Sequence, residues 1–340
     1  MKSLVLTFAL LIVGSAVFFA FDFFRFAASA PGTVEEATIL EVPNGMTMGK
    51  VASRLKEQSL ITSELKFRIF AKLTSQQNRL KRGEYVLNRG MTPQEILDVL
   101  ASGKSIQYPV TFPEGSNIYD IAQILAARNF FKAEEFLALV RDPVYVQQML
   151  GVQAPSLEGY LFPETYNITK FTSPKELVRA MVDRFNENYK TLGINASVSL
   201  TKHEIVTLAS VVEKESGSPT DRPMIASVFI NRLQKGIPLQ SDPTILYGIL
   251  EETGKPTANI TKADILRPNR YNTYTVKRLP YGPISNPGRE ALVAVLNPAV
   301  SEYLFFVSRN DGTTLFTKTY EQHLQGVKSF QMNPTAREGK

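Results

Sequence analysis

From Ser3 to Phe21 the chain reads SLVLTFALLIVGSAVFFAF, nineteen residues without a charge. As a helix, at about 1.5 Å per residue, this run reaches roughly 28 Å, close to the thickness of a bilayer's hydrocarbon core. Such a segment at a chain start either spans a membrane or is removed as a signal sequence. Ala28-Ser29-Ala30 offers an A-x-A cleavage site. However, the run is longer than a usual signal core, and Pro31 would stand first after the cut, where processing is poor. The expectation is an uncleaved anchor over 1–26 and a short polar linker over 27–35. Lys2 precedes the run and Asp22 and Arg25 follow it, a slight bias that predicts a cytoplasmic N-terminus.

The 340 residues leave room beyond the anchor for two domains, each able to bury a core. The 38 basic residues outnumber the 32 acidic ones by only six and form no run interleaved with aromatics. Nucleic acid is therefore not an expected partner, whereas an anionic membrane face or an anionic polymer would suit this charge. Cysteine is absent, which excludes disulfide scaffolds and thiol nucleophiles. His203 and His323 are the two histidines, with no HExxH, so neither a metal site nor a cofactor is expected. Both are read as surface polarity.

A repeat follows the linker. VPNGMTMGKVASRL over 42–55 matches FPEGSNIYDIAQIL over 112–125 at an offset of 70 residues. Each copy reads as a strand residue, a Pro-x-Gly turn and an amphipathic helix, with Val51, Ala52 and Leu55 answered by Ile121, Ala122 and Leu125. Around the first copy the pattern predicts a β-α-α-β module: a helix from Met46, a second through SELKFRIFAKL and a strand GEYVL. A helix capped by Thr92 and Glu95 and closed by Gly103 comes next. This arrangement resembles a LysM-like module, a resemblance that implies binding to N-acetylated glycan chains. The region is assigned to 36–155.

From 156 to 332 helices dominate, and EYLFFVSRNDGTTLFTKT predicts a hairpin around Asn310-Asp311-Gly312. A tail occupies 333–340. The fold class is α+β: a transmembrane helix, a LysM-like module, and a mostly helical catalytic domain with a small hairpin. Within it, TLASVVEKESGS over 207–218 sets two carboxylates at the end of an apolar run. Thr201 and Glu204 predict a capping box, after which Ile205, Val206, Ala209 and Val212 make one face. Glu213, four residues after Ala209, falls at the edge of that face, while Glu215 points away and is read as solvated with Lys214. A carboxyl half-buried among apolar side chains resists ionisation and can donate a proton near neutrality. Glycosidic cleavage needs such a group. A structural hydrogen bond at a helix end is the competing reading of Glu213.

Three further segments are rich in amides, carboxyls and tyrosines, the groups that bind sugar hydroxyls and stack on sugar faces. LEGYLFPETY contributes Glu158 and Tyr160. LQSDPTILYG contributes Gln240, Asp242, Thr244 and Tyr247, and RYNTYTVKRLPYGPISNPG contributes Asn272 and Tyr274. These eight residues are the candidate substrate-binding set.

In this order, LEGYLFPETY, ASVVEKES, ASVFINRL, LQSDPTILYG, YNTY and LPYGPISNPG resemble the endolytic murein transglycosylases, the YceG-like family called MltG. The resemblance implies a single-pass anchor in the bacterial inner membrane and a catalytic domain outside the cytoplasm. The implied activity is lytic cleavage between N-acetylmuramic acid and N-acetylglucosamine within nascent peptidoglycan strands. The products are 1,6-anhydro ends, and strand elongation is terminated. The catalytic glutamate, general acid and then base, is placed at Glu213, the first acid of the Glu-Lys-Glu triplet. Implied partners are glycan strands, the lipid bilayer and peptidoglycan synthases. Two alternatives stay open: a membrane-tethered glycan-binding or division-complex protein without activity, and a muramidase that hydrolyses the same bond.

Overall fold

The computed structural model describes residues 2–34, 37–193 and 199–331. The tail expected over 333–340, Met1 of the anchor and Glu35 of the linker lie outside the described residues. The chain is mixed and predominantly helical. In order it forms α1 (Lys2–Ala28), β1 (Thr38–Val42), α2 (Met48–Glu57), α3 (Glu64–Leu73), β2 (Gly83–Leu87), α4 (Pro93–Ser102) and β3 (Tyr108–Thr111). Next come α5 (Ile118–Ala127), α6 (Ala133–Val140), α7 (Pro143–Leu150), β4 (Thr165–Ile168), α8 (Pro174–Lys190), α9 (Lys202–Glu215) and α10 (Arg222–Lys235). The last elements are α11 (Asp242–Thr253), α12 (Lys262–Leu266), α13 (Arg289–Leu296), β5 (Phe305–Ser308), β6 (Thr314–Thr317) and α14 (Tyr320–Phe330). The strands pair two by two, β1 with β2, β3 with β4 and β5 with β6.

The chain divides into two compact units, Met1–Val110 with Asn167–Thr172, and Thr111–Tyr166 with Ser173–Lys340. In the first, α2 and α3 connect the antiparallel strands β1 and β2, paired from Thr38 with Leu87 to Val42 with Gly83. Their inward residues, among them Leu40, Leu55, Leu60, Phe67, Tyr85 and Leu87, join Ile96 and Leu100 of α4 in one core. Helix α1 ends at Ala28, two residues beyond the expected end of the anchor. It is the one helix among the described residues with the length and composition to cross a membrane.

The repeat is visible in detail. Helices α2 and α5 start and stop 70 residues apart, at 48–57 and 118–127. Gly45 and Gly115 both take φ of +75°, and the turns before them close with Met46 N–H donating to Pro43 O and Ser116 N–H to Pro113 O. Both helices unwind through a left-handed residue, Ser59 and Asn129, each at φ +57°. The second copy belongs to the second unit, whose first residue is Thr111.

In the second unit α9 packs against α10, α11 and α13. Every residue from Ile205 to Val212 is buried, so α9 is the central helix and not an amphipathic one. Burying each of its Val, Leu and Ile side chains contributes about 1.5–3 kcal/mol. Its few polar groups are tied locally. Thr207 Oγ1 donates to His203 O and Ser210 Oγ to Thr207 O, while Ser210 Oγ accepts from Ile284 N–H and so holds the 283–286 loop on the helix. Gly159 completes this packing at φ +86°, where an added Cβ would lie 2.6 Å from Pro283 and 2.7 Å from Val206. The hairpin expected around Asn310 is present as β5 and β6, paired from Phe305 with Thr317 to Ser308 with Thr314.

Candidate active site

Helix α9 ends where its interior position ends: Ser216 is extended, at φ −79° and ψ 109°, and its Oγ donates to Val212 O. The two acids of this last turn face different surroundings. Glu213 is turned into a polar joint. Its Oε1 accepts from the Arg222 guanidinium at 2.7 Å and its Oε2 from Gly288 N–H at 3.0 Å, with the side chain 6% exposed. Glu114 approaches the same guanidinium at 3.8 Å, and burial together with the nearby Glu213 charge raises the Glu114 pKa. The joint is tight, since a Cβ on residue 288 would come within 2.0 Å of Glu114 Oε1. Glu213 thus ties the start of α10 to the start of α13, and Glu114 of the turn after β3 joins them through Arg222.

Glu215 instead reaches into a cleft of about 600 Å³, together with Gln240, Asp242, Tyr274, Arg232 and the aromatic residues Phe305 and Phe306. Its Oε1 accepts from Ser241 Oγ at 2.7 Å, its one hydrogen-bond partner among the described residues. Burial pushes its pKa up to about 7, and the neighbouring Asp242 charge adds to the rise, against the Ser241 hydrogen bond and the Arg232 cation. The two environments differ: the Glu213 side chain is the more enclosed, held by a guanidinium and a backbone N–H, and Glu215 is half-buried along the cleft beside Ser241 rather than freely solvated.

Ser241 is placed by a small hydroxyl network. Its N–H donates to Thr273 Oγ1 at 2.9 Å, Thr244 Oγ1 donates to Ser241 O at 2.6 Å, and the Thr244 and Thr273 hydroxyls are 2.9 Å apart. Gln240, just before, holds a left-handed backbone at φ +51°, an uncommon conformation for a side chain without local compensation. Arg232 fixes the opposite wall. Its buried guanidinium donates to Leu304 O, Pro238 O and Leu239 O and lies 4.9 Å above the Phe305 ring.

Of the eight expected substrate-binding residues, Gln240, Asp242 and Tyr274 line this cleft, with the Tyr274 hydroxyl donating to Asp242 Oδ1 at 2.7 Å. The other five are buried and cannot meet a polymer. Glu158, 1% exposed, accepts from Ile118 N–H, Tyr247 hydroxyl and Asn286 Nδ2, and burial pushes its pKa up to about 8. Tyr160 shares a hydrogen bond of 2.8 Å with His203 Nδ1 and packs on Phe185. Thr244 belongs to the Ser241 network, and Tyr247 serves Glu158. Asn272 clamps a loop by donating to the carbonyls of Asp264, Ile265 and Arg267. Each of these residues is polar because it must satisfy buried backbone or a buried partner. Nor are the histidines simple surface polarity: His203 is half-buried against Tyr160, and His323 stacks on Phe305 in the cleft wall.

Ser241, Thr273 and Arg232 escaped the sequence reading. The first two lie inside LQSDPTILYG and YNTY, between the residues chosen there, and Arg232 is the last residue but one of ASVFINRL. Their short hydroxyls and a lone arginine carry no signal of their own. Among the described residues no group of three or more acidic or histidine side chains gathers as a metal site.

Helices packed around a central α9 present a carboxyl of raised pKa in an aromatic, polar cleft, an arrangement suited to acid–base chemistry. The profile of the YceG-like family matches residues 40–329, and the chain belongs to that family. It is 32% identical over 310 residues to the endolytic murein transglycosylase of Bacillus subtilis (strain 168), covering 86% of this chain and 84% of that protein. The endolytic murein transglycosylase of Streptococcus pneumoniae (strain D39) is 31% identical over 322 residues, 84% of this chain and 57% of that longer protein. A 2.6 Å crystal structure of a yceG-like protein from Listeria monocytogenes superposes with a TM-score of 0.56 at 30% identity, over 85% of this chain and 98% of that one.

Proposed function

We propose that this protein is a membrane-anchored peptidoglycan lytic transglycosylase, a lyase, with Glu215 as its acid and base. The relatives named endolytic murein transglycosylase support the enzyme class. The observation that carries the residue assignment is the Glu215 carboxyl lining the cleft with its pKa raised to about 7. Protonated, Glu215 donates to the glycosidic oxygen between N-acetylmuramic acid and N-acetylglucosamine. The resulting carboxylate then takes the proton of the muramyl 6-hydroxyl as that oxygen attacks its own anomeric carbon. The bond to the leaving sugar breaks, a 1,6-anhydro ring forms, no water is consumed, and Glu215 ends as it began.

One carboxyl is sufficient for this chemistry, whereas a retaining hydrolase needs a nucleophile about 5 Å from its acid and an inverting one needs a base for water. Asp242, the nearest candidate for a second role, is engaged by the Tyr274 hydroxyl and is assigned to substrate positioning. Gln240 and Tyr274 share that task, with Phe305 and Phe306 as stacking surfaces. Glu213, the residue to which the family resemblance points for the catalytic role, is read instead as holding the site together through Arg222 and Gly288. Helix α1 anchors the chain in the cytoplasmic membrane and leaves the cleft outside the cytoplasm. In the first unit, the groove lined by Glu41, Arg54, Gln58 and Glu84 is the place where the LysM-like module would hold a glycan, bringing the enzyme to nascent strands beside peptidoglycan synthases.

Incubating the purified chain with sacculi tests the function, with products read by mass spectrometry. Anhydro-muropeptides are expected. Reducing muramic acid ends would make it a muramidase, and binding without release would make it a tether.

A further inference from the structure

Helix α3, ELKFRIFAKL, is amphipathic in an unusual way. Phe67 and Ala71 are fully buried in the core of the first unit, as its stripe on that side requires. On the outer side stand three more apolar residues at four-residue spacing, Leu65, Ile69 and Leu73, which are 64%, 42% and 69% exposed. Residues four apart share one helix face, so these three form a continuous apolar stripe. On one side of the stripe lie the exposed cations Arg68 and Lys72. On its other side lie Lys66 and Phe70, and both meet α1.

That contact fixes the height of α3. Lys66 Nζ pairs with Asp22 Oδ2 at 2.5 Å and lies 5.9 Å above the Phe26 ring, and the Phe70 and Phe23 rings are 6.2 Å apart. Asp22 is the first residue after the uncharged run of α1. Residues 22 to 26 therefore lie within about 8 Å of the end of that run, at 1.5 Å per residue, which is headgroup depth if the run fills the hydrocarbon core. Phe21 and Phe24 of α1 are 67% and 71% exposed at the same level.

We propose that the Leu65-Ile69-Leu73 face of α3 lies in the headgroup layer of the bilayer that α1 spans, with Arg68 and Lys72 against anionic lipid. The chain then has a second, interfacial membrane contact, of the kind a basic amphipathic helix makes when its apolar face sinks about 5–10 Å into the boundary. This inference rests on the reading of α1 as an anchor. It follows from depth and charge together, because a stripe next to the exit of a spanning helix and edged by cations is offered first to lipid. One rigid attachment through α1 and a second through α3 would hold the first unit in a set orientation on the membrane.

The chain has no cysteine, so an environment-sensitive fluorophore can be placed uniquely. The full chain with Ile69→Cys, and separately with Val13→Cys in α1, is labelled and reconstituted into vesicles of phosphatidylethanolamine and phosphatidylglycerol. Nitroxide-bearing lipids then quench it either near the headgroup or near the chain end. The expected result is deep quenching at Val13 and, at Ile69, quenching several-fold stronger from the headgroup position than from the chain end. Deep quenching at Val13 with an unquenched Ile69 would overturn the proposal and leave the anchor standing. This holds equally if the Ile69 label is wet or covered by another copy. A Val13 label that no lipid quenches would overturn the anchor and this inference with it.

Discussion

The two flanks of the last turn of α9 carry the same functional group two residues apart, and they use it in opposite ways. On one flank Glu213 meets a guanidinium and a backbone N–H, so its charge is matched and its carboxyl is fixed. On the other, burial and the neighbouring Asp242 outweigh the Ser241 hydroxyl and the Arg232 cation, so the pKa of Glu215 is raised to about 7. The difference shows that burial alone does not make a general acid. The partners brought by other segments decide whether a buried carboxyl becomes a brace or a proton donor.

Breaking the brace has the largest expected effect on the fold. Glu213→Gln removes one partner of a nearly buried ion pair and should cost about 2–4 kcal/mol of stability, while cleavage per folded molecule survives. Chemical denaturation followed by an activity assay normalised to folded protein checks both halves. The comparison would fail if the variant were as stable as the parent and inactive.

The proton on Glu215 gives a sharper test. Its folded pKa, about 7, stands above the usual carboxylate range, so between those values the native state holds a proton that the unfolded chain has released. Stability linked to this group is present at acid pH and is lost as pH rises towards 7. Relative to the parent, Glu215→Gln should therefore gain stability with rising pH up to about 7 and no further. Glu158, with its own raised pKa, is common to both proteins and cancels. Catalysis should follow the same group, with kcat/KM falling about tenfold per pH unit above 7, where the acid is spent.

The smallest effect belongs to Ser241→Ala. The serine hydrogen bond favours the ionised form of Glu215, so its loss should move the alkaline limb of the pH profile to higher pH and lower the rate about tenfold or less. A limb that stays in place would mean that Ser241 holds only the backbone.

Much of this architecture was legible in the sequence, because local signals and tertiary structure agree there. The Pro-x-Gly turns and the apolar stripes of α2 and α5 fixed two helices 70 residues apart, and Thr92 with Glu95 caps α4 as expected. The LQSDPT and YNTY segments both border the cleft, but the residues read from them divide. Asp242 and Tyr274 face the cleft, while Thr244 and Asn272 support it from behind. Polar residues in a rigid loop look alike in sequence whether they bind a ligand or satisfy a buried carbonyl. The choice between Glu213 and Glu215 was illegible for a related reason. It depends on Arg222, Ser241 and Gly288, which lie 9 to 75 residues from the acids they touch.

Sacculus digestion by Glu215→Gln and Glu213→Gln, side by side at equal folded concentration, tests the central claim most directly. The account predicts that Glu215→Gln loses about a hundredfold to ten-thousandfold in anhydro-muropeptide release, the usual worth of a positioned acid and base, and that Glu213→Gln still releases them. Full release from Glu215→Gln, with none from a folded Glu213→Gln, would contradict it.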